Sequence, residues 1–214
     1  YFSSNDGTNG TELWKTNGTE EGTTMVKDIA PEQSSSPSNF TKIGNLLYFT
    51  ANDQVHGNEL WRSDGTENGT FIVKDIVPGL DDSSPSSLVA ISDTLFFSVS
   101  DGSSYSIWKS DGTENGTTKV SDIGNRYSYV VPLWDNIYFQ GFDDTFGEEL
   151  WKTDGTASGT TIVKDIYTGG QWGSPRDLIT MGGTLYFSAN NGTIGQELWK
   201  SNGSEATTSL VKDI

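Results

Sequence analysis

The sequence predicts an all-β protein, an array of short antiparallel units of four strands each, and three repeated phrases carry that reading. The first phrase, Glu-Leu-Trp-Lys/Arg-Ser/Thr followed by Asp/Asn-Gly-Thr/Ser, returns five times, with Ser106-Ile107 in place of Glu-Leu in the third copy and its tryptophan at Trp14, Trp61, Trp108, Trp151 and Trp199. The second is Val-Lys-Asp-Ile, at 26–29, 73–76, 163–166 and 211–214, with Val120-Ser121-Asp122-Ile123 as the divergent copy. The third is an aromatic pair: Tyr1-Phe2, Tyr48-Phe49, Phe96-Phe97, Tyr138-Phe139 and Tyr186-Phe187. The tryptophans are spaced by 47, 47, 43 and 48 residues, the interval of arrays in which one supersecondary unit cannot bury its apolar face alone.

Each unit then follows in order. The aromatic pair begins one strand, because aromatic and β-branched residues in short runs suit a half-buried pleated surface. The tryptophan lies on the next strand. Around residues 17–22, Asn and Gly supply a hairpin loop, since these residues accept positive φ at little cost. Val-Lys-Asp-Ile forms a third strand. A Ser-Pro turn and an apolar run, such as Ser36-Pro37 before 40–47 and Ser84-Pro85 before 88–95, give the fourth. No window has the 3.6-residue apolar stripe of a helix. The units run over approximately 1–47, 48–95, 96–137, 138–185 and 186–214 within a single repeat domain, residues 1–214.

Composition narrows the function. Carboxylates outnumber basic residues 29 to 13, for a net charge of −16, which opposes nucleic-acid binding because phosphate contacts need clustered Lys and Arg. No stretch approaches the ~20 apolar residues of a membrane span. There is no cysteine, hence neither disulfides nor thiolate metal sites. The single histidine, His56, lies in a loop and has no Gly-x-Ser-x-Gly partner motif, so a Ser-His-Asp site is not expected. Seven Asn-x-Ser/Thr sequons, at Asn9, Asn17, Asn39, Asn68, Asn115, Asn191 and Asn202, read mainly as repeated turns. Calcium is the one ion these oxygen-rich turns would suit, but the Asp-x-Asp-x-Asp-Gly loop with a distal Glu is missing, so no cofactor is expected.

Two further expectations concern the repeat itself. The Glu before Leu-Trp and the Lys of Val-Lys-Asp-Ile are 15 residues apart in four repeats, and both become serine in the third, as Ser106 and Ser121. That joint loss suggests a cross-strand ion pair. The tryptophans are expected to fill the gaps between adjacent sheets and to donate their indole N–H to a carbonyl.

Units of this length, with a structural Trp and an Asp/Asn-Gly turn, resemble the blades of a β-propeller. The phrases resemble a tandem repeat of bacterial secreted and surface proteins, and the resemblance covers essentially the whole chain. It implies five blades of four antiparallel strands, with the Ser-Pro run innermost and Val-Lys-Asp-Ile outermost. On that assignment the first blade lacks its inner strand. We therefore expect the polypeptide to continue beyond Ile214, or self-association through the open edge of blade 1. The resemblance also implies a secreted or cell-surface location.

Residues that break the repeat are the candidates for binding a glycan or a protein: Tyr105, Tyr127, Tyr129, Trp134 and Trp172. Flat apolar faces stack on partners while neighbouring amides orient them. The expected function is a non-enzymatic binding or adhesion module. The alternatives are a scaffold segment of a larger assembly and, more remotely, a five-bladed glycosidase, which needs two converging carboxylates.

Overall fold

The computed structural model describes residues 1–100, 102, 104–123 and 130–214. Five sheets appear in chain order, each a meander whose sequence neighbours are hydrogen-bonded. The first has three strands: β1 (Phe2–Asn5), β2 (Thr11–Lys15) and β3 (Thr24–Lys27). The other four sheets have four strands each. They are β4 (Ser38–Ile43), β5 (Leu46–Asn52), β6 (Asn58–Ser63) and β7 (Phe71–Lys74); then β8 (Ser86–Ile91), β9 (Thr94–Ser100), β10 (Tyr105–Ser110) and β11 (Thr118–Ser121). The last two comprise β12 (Val130–Leu133), β13 (Asn136–Asp143), β14 (Gly147–Thr153) and β15 (Thr161–Lys164), followed by β16 (Arg176–Met181), β17 (Thr184–Asn190), β18 (Gln196–Ser201) and β19 (Ser209–Lys212). Among the described residues the only helical piece is a 3-10 turn, Glu205–Thr207.

The described residues fall into two compact units. One holds 1–95, 99, 100, 102 and 110–118; the other holds 96–98, 104–109, 119–123 and 130–214. In the first unit Leu13, Val26 and Ile29 of the first repeat are buried with Leu47, Phe49, Ala51 and Trp61 of the second. In the second unit Tyr138, Leu150, Val163 and Ile166 are buried with Leu185, Phe187, Ala189 and Trp199. One face of a sheet thus covers the opposite face of the next, and this is how a repeat too small for its own core acquires one. Trp61, Trp151 and Trp199 are buried, whereas Trp14 and Trp108 are half-buried. Trp199 donates its indole N–H to the Ala189 carbonyl at 3.1 Å, and Trp108 donates to Ser106 Oγ at 3.0 Å. The indole nitrogens of Trp14, Trp61 and Trp151 have no partner.

The hairpins joining the tryptophan strand to Val-Lys-Asp-Ile carry a β-bulge in four sheets. Leu13 faces Lys27 while Trp14 faces Met25, and the same shift occurs at Leu60/Trp61, Leu150/Trp151 and Leu198/Trp199. Val26 is the extra residue. The bulge sets the Lys opposite Leu rather than opposite Glu, and the expected Glu–Lys pair does not form.

The Glu side chain turns into its own unit instead. Glu12 is fully buried and accepts from Ile29 N (2.9 Å), Ser35 N (3.0 Å) and Ser35 Oγ (2.5 Å). Glu59 accepts from Ile76 N, Val77 N, Ser83 N and Ser83 Oγ, and Glu149 from the amides of Ile166, Tyr167 and Gly173. Each carboxylate therefore pins the connector that leads from one sheet to the next. The Lys reaches forward to the following repeat: Lys27 Nζ donates to the Thr70 carbonyl at 2.9 Å. In the third repeat the two serines act locally, Ser106 accepting from Trp108 Nε1 and Ser121 accepting from Ile123 N.

Candidate functional site

Four equivalent contacts join one repeat to the next. The cation that follows the tryptophan donates to the glycine carbonyl of the next Asp/Asn-Gly-Thr turn: Lys15 to Gly65 (2.7 Å), Arg62 to Gly112 (2.9 Å), Lys109 to Gly155 (2.8 Å) and Lys152 to Gly203 (2.8 Å). The first aromatic of the pair lies over the same glycine. A Cβ on Gly112 would come within 2.3 Å of Tyr48 Oη, and one on Gly203 within 2.1 Å of Tyr138 Oη. Both glycines have φ near +90°, so backbone conformation and close approach each require glycine.

Within the turn, Asp64 Oδ1 accepts from Thr66 N (2.9 Å) and Thr66 Oγ1 (2.7 Å), and these bonds hold its carboxyl below the ordinary value. Asp111 and Asp154 repeat the arrangement. The oxygens considered above as calcium ligands are thus engaged in closing their own turns. Among the described residues no three His, Cys, Asp or Glu side chains group as a metal site.

His56 Nδ1 lies 2.7 Å from Asp53 Oδ2. That hydrogen bond raises the imidazole above its usual value. Asp53 also accepts from the amides of Val55 and His56, so the pair closes the β5–β6 turn.

The candidate aromatics fall in different places. Trp134 stands in the turn between β12 and β13, is 69% exposed, and adopts φ +56°, a region costly for a bulky side chain. Its ring lies 3.0 Å from where a Cβ on Gly183 would stand, in the corresponding turn of the fifth sheet. Trp172 lies in the connector after β15, at the opposite end of the sheet, and is 56% exposed. Tyr105 opens β10 and is exposed. Tyr127 and Tyr129 lie outside the described residues. Trp134 and Trp172 therefore lie at opposite ends of the fourth sheet.

A different grouping emerges at the Trp172 end. In the first two repeats the position of Trp172 is held by Ser34 and Asp82, whose oxygens accept from Thr11 N (2.9 Å) and Asn58 N (2.6 Å). Phe142 replaces Asn5, Asn52 and Asn190, which cap their turns by accepting from the amide two residues on. In the fourth repeat Asp143 keeps the bond that Asp6, Asp53 and Asn191 also make, accepting from the amide two residues on, while the Asn cap is lost and Phe142 stands 47% exposed. Glu148, Phe142's partner across the ladder, is buried. Its carboxylate accepts from Gln140 Nε2 (3.0 Å) and from Ser174 Oγ (3.3 Å), two residues after Trp172. Sequence inspection missed Phe142, although its departure from a repeated Asn was a readable signal. A groove of about 480 Å³ also runs between the fourth and fifth sheets, lined by Phe146, Lys152, Val163, Lys164, Asp165 and Glu205.

No family model matches this sequence, and no curated protein matches it. Solved structures do resemble it. The computationally designed Ika8 protein superposes with a TM-score of 0.50 at 14% identity, over 89% of this chain and 52% of its own. A puromycin hydrolase mutant gives 0.58 at 12%, over 90% of this chain and 32% of its own. A chain of a nidogen/laminin complex gives 0.51 at 13%, over 94% and 71%. This chain thus spans about half the length of the first and a third of the second. At such identities the likeness is one of fold alone, and the fold it supports is all-β and β-propeller-like.

Proposed function

We propose that this chain is a non-enzymatic binding and adhesion module, secreted or displayed at the cell surface. Its five repeats form blades of one propeller domain, and it recognises a glycan or a protein through the Phe142–Trp172 end of the fourth repeat. The observation that carries this reading is the double replacement there. Two positions that hold backbone amides with polar atoms in other repeats become exposed aromatics, one opposite the buried Glu148 across the ladder and one two residues before Ser174, which donates to that Glu148. Aromatic faces supply stacking area, and rigid polar neighbours fix orientation.

The non-enzymatic part is supported by how the repeated acids are used. Glu12, Glu59 and Glu149 accept backbone amides, and the turn aspartates cap themselves. One structurally similar protein is a puromycin hydrolase and another comes from a nidogen/laminin complex, so the fold serves both classes and the residues must decide.

The labelled chain applied to a glycan array and to immobilised extracellular-matrix proteins tests the proposal. Trp172→Ala and Phe142→Ala should each weaken the observed binding about tenfold, with unchanged circular dichroism. Full binding by the double variant would remove the site. Turnover of chromogenic glycoside or peptide substrates would remove the non-enzymatic reading.

A further inference from the structure

We infer that the Phe142–Trp172 end of the fourth repeat takes a positively charged side chain, a lysine or an arginine of a protein partner, with Glu148 as its counter-ion. This rests on the site proposed above and narrows what that site recognises.

Ladder register puts Glu148 where the first, second and fifth repeats have Thr11, Asn58 and Gln196, and Gln140 where they have Ser3, Thr50 and Ser188. The residues of those other repeats are all neutral. In the fifth repeat they satisfy one another without charge, Gln196 Nε2 donating to Ser188 Oγ at 3.1 Å. The fourth repeat sets a carboxylate at the same place and leaves it 6% exposed. A carboxylate taken out of water needs donors for its oxygens or a cation beside it. Glu12, Glu59 and Glu149 each accept on both Oε1 and Oε2 from connector amides. Glu148 is served differently: its donors, Gln140 Nε2 and Ser174 Oγ, are neutral and both reach Oε2. Among the described residues nothing donates to its Oε1.

Gln140, 2% exposed, spends its amide nitrogen on that carboxylate, and its own Oε1 is buried without a donor. The cluster thus has acceptors to fill and a negative charge with no cation bonded to it. Ammonium and guanidinium groups only donate, and they carry the missing charge; a sugar hydroxyl brings a further acceptor and no charge. The aromatics fit the same ligand. Phe142 stands opposite Glu148, and residues so paired hold their Cβ atoms about 5 Å apart. A cation on the carboxylate is then within reach of the exposed ring, whose face attracts it. Trp172 is held to the same strand end on both sides: a Cβ on Gly147 would run into the Gln171 carbonyl oxygen, and Ser174 N donates to the Glu148 carbonyl at 3.0 Å.

NMR titration of the isotope-labelled chain with Nα-acetyl-lysine methylamide tests this, with the arginine, norleucine and citrulline analogues and methyl β-glucoside as parallel arms. Saturable shifts should centre on the Gln140 side-chain amide, the Phe142 and Glu148 backbone amides and the Trp172 indole. The lysine or arginine probe should bind about tenfold more tightly than its neutral isostere. Glu148→Gln, which installs the residue of the fifth repeat, should remove that preference with the rest of the spectrum unchanged. Phe142→Leu, at an exposed position, keeps apolar bulk but loses the ring face; it should weaken the charged probes about threefold and serves if Glu148→Gln fails to fold. Glu20→Gln removes the same charge from an exposed side chain elsewhere and should change nothing, which separates the site from general attraction to a net charge of −16. Equal binding of charged and neutral probes, a preference that survives Glu148→Gln, or no shift with any probe would each overturn the inference. Glycoside binding that Trp172→Ala abolishes and Glu148→Gln spares would overturn it too, while leaving the binding site itself in place.

Discussion

A carboxylate removed from water must collect donors or stay protonated. Glu59 and Glu149 do the first through connector amides, yet burial still pushes both up to about 7 from an ordinary 4.5. The folded state therefore holds these protons more tightly than the unfolded chain. Their contribution to stability is full below pH 4.5 and is lost as pH rises through 7, at most about 3 kcal/mol for each group. Denaturant titrations between pH 5 and pH 8 should show stability falling with pH. Glu59→Gln should reduce that slope and lower overall stability by about 2 kcal/mol, because the amide presents N–H groups to donors. A slope unchanged in the variant would assign the pH dependence elsewhere. The repeated Glu was conspicuous in the sequence, but its partner was misread because a bulge shifts the hairpin register by one residue.

At the scale of the element, the Asp/Asn-Gly-Thr turn is both a hairpin loop and the receiving part of the next-repeat contact. The two roles can be separated by comparing glycines. Gly203→Ala places a Cβ against Tyr138 Oη at φ +91° and should cost about 3 kcal/mol in strain and lost contact. Gly18→Ala meets nothing within 4 Å and should cost about 1 kcal/mol from its backbone conformation alone. Equal losses by chemical denaturation would mean that φ, not the clasp, accounts for the glycine.

For the molecule as a whole, the net charge of −16 goes largely uncompensated. Lys119–Asp122 and His56–Asp53 are ion pairs, but Lys15, Arg62, Lys109 and Lys152 donate to carbonyls instead. Salt then screens repulsion while removing little attraction. The melting temperature should rise by about 3 °C between low and high sodium chloride, and scanning calorimetry at a fixed low protein concentration checks it. A fall would show that attractive charge contacts dominate.

The sequence by itself determined the all-β class, the four-strand pattern and the three strands of the first sheet, because these follow from local periodicity, turn chemistry and recurrence. It also exposed the residues that break the repeat. Only the tertiary structure decided what Glu12, Glu59 and Glu149 hold, because their donors lie 17 to 24 residues away across a connector. It likewise separated Trp134 from Trp172 and bonded Glu148, Phe142's ladder partner, to Ser174 of the connector that carries the latter. In a meander, alternate turns project from opposite ends of a sheet, and nothing in a linear reading says which exposed aromatics share an end.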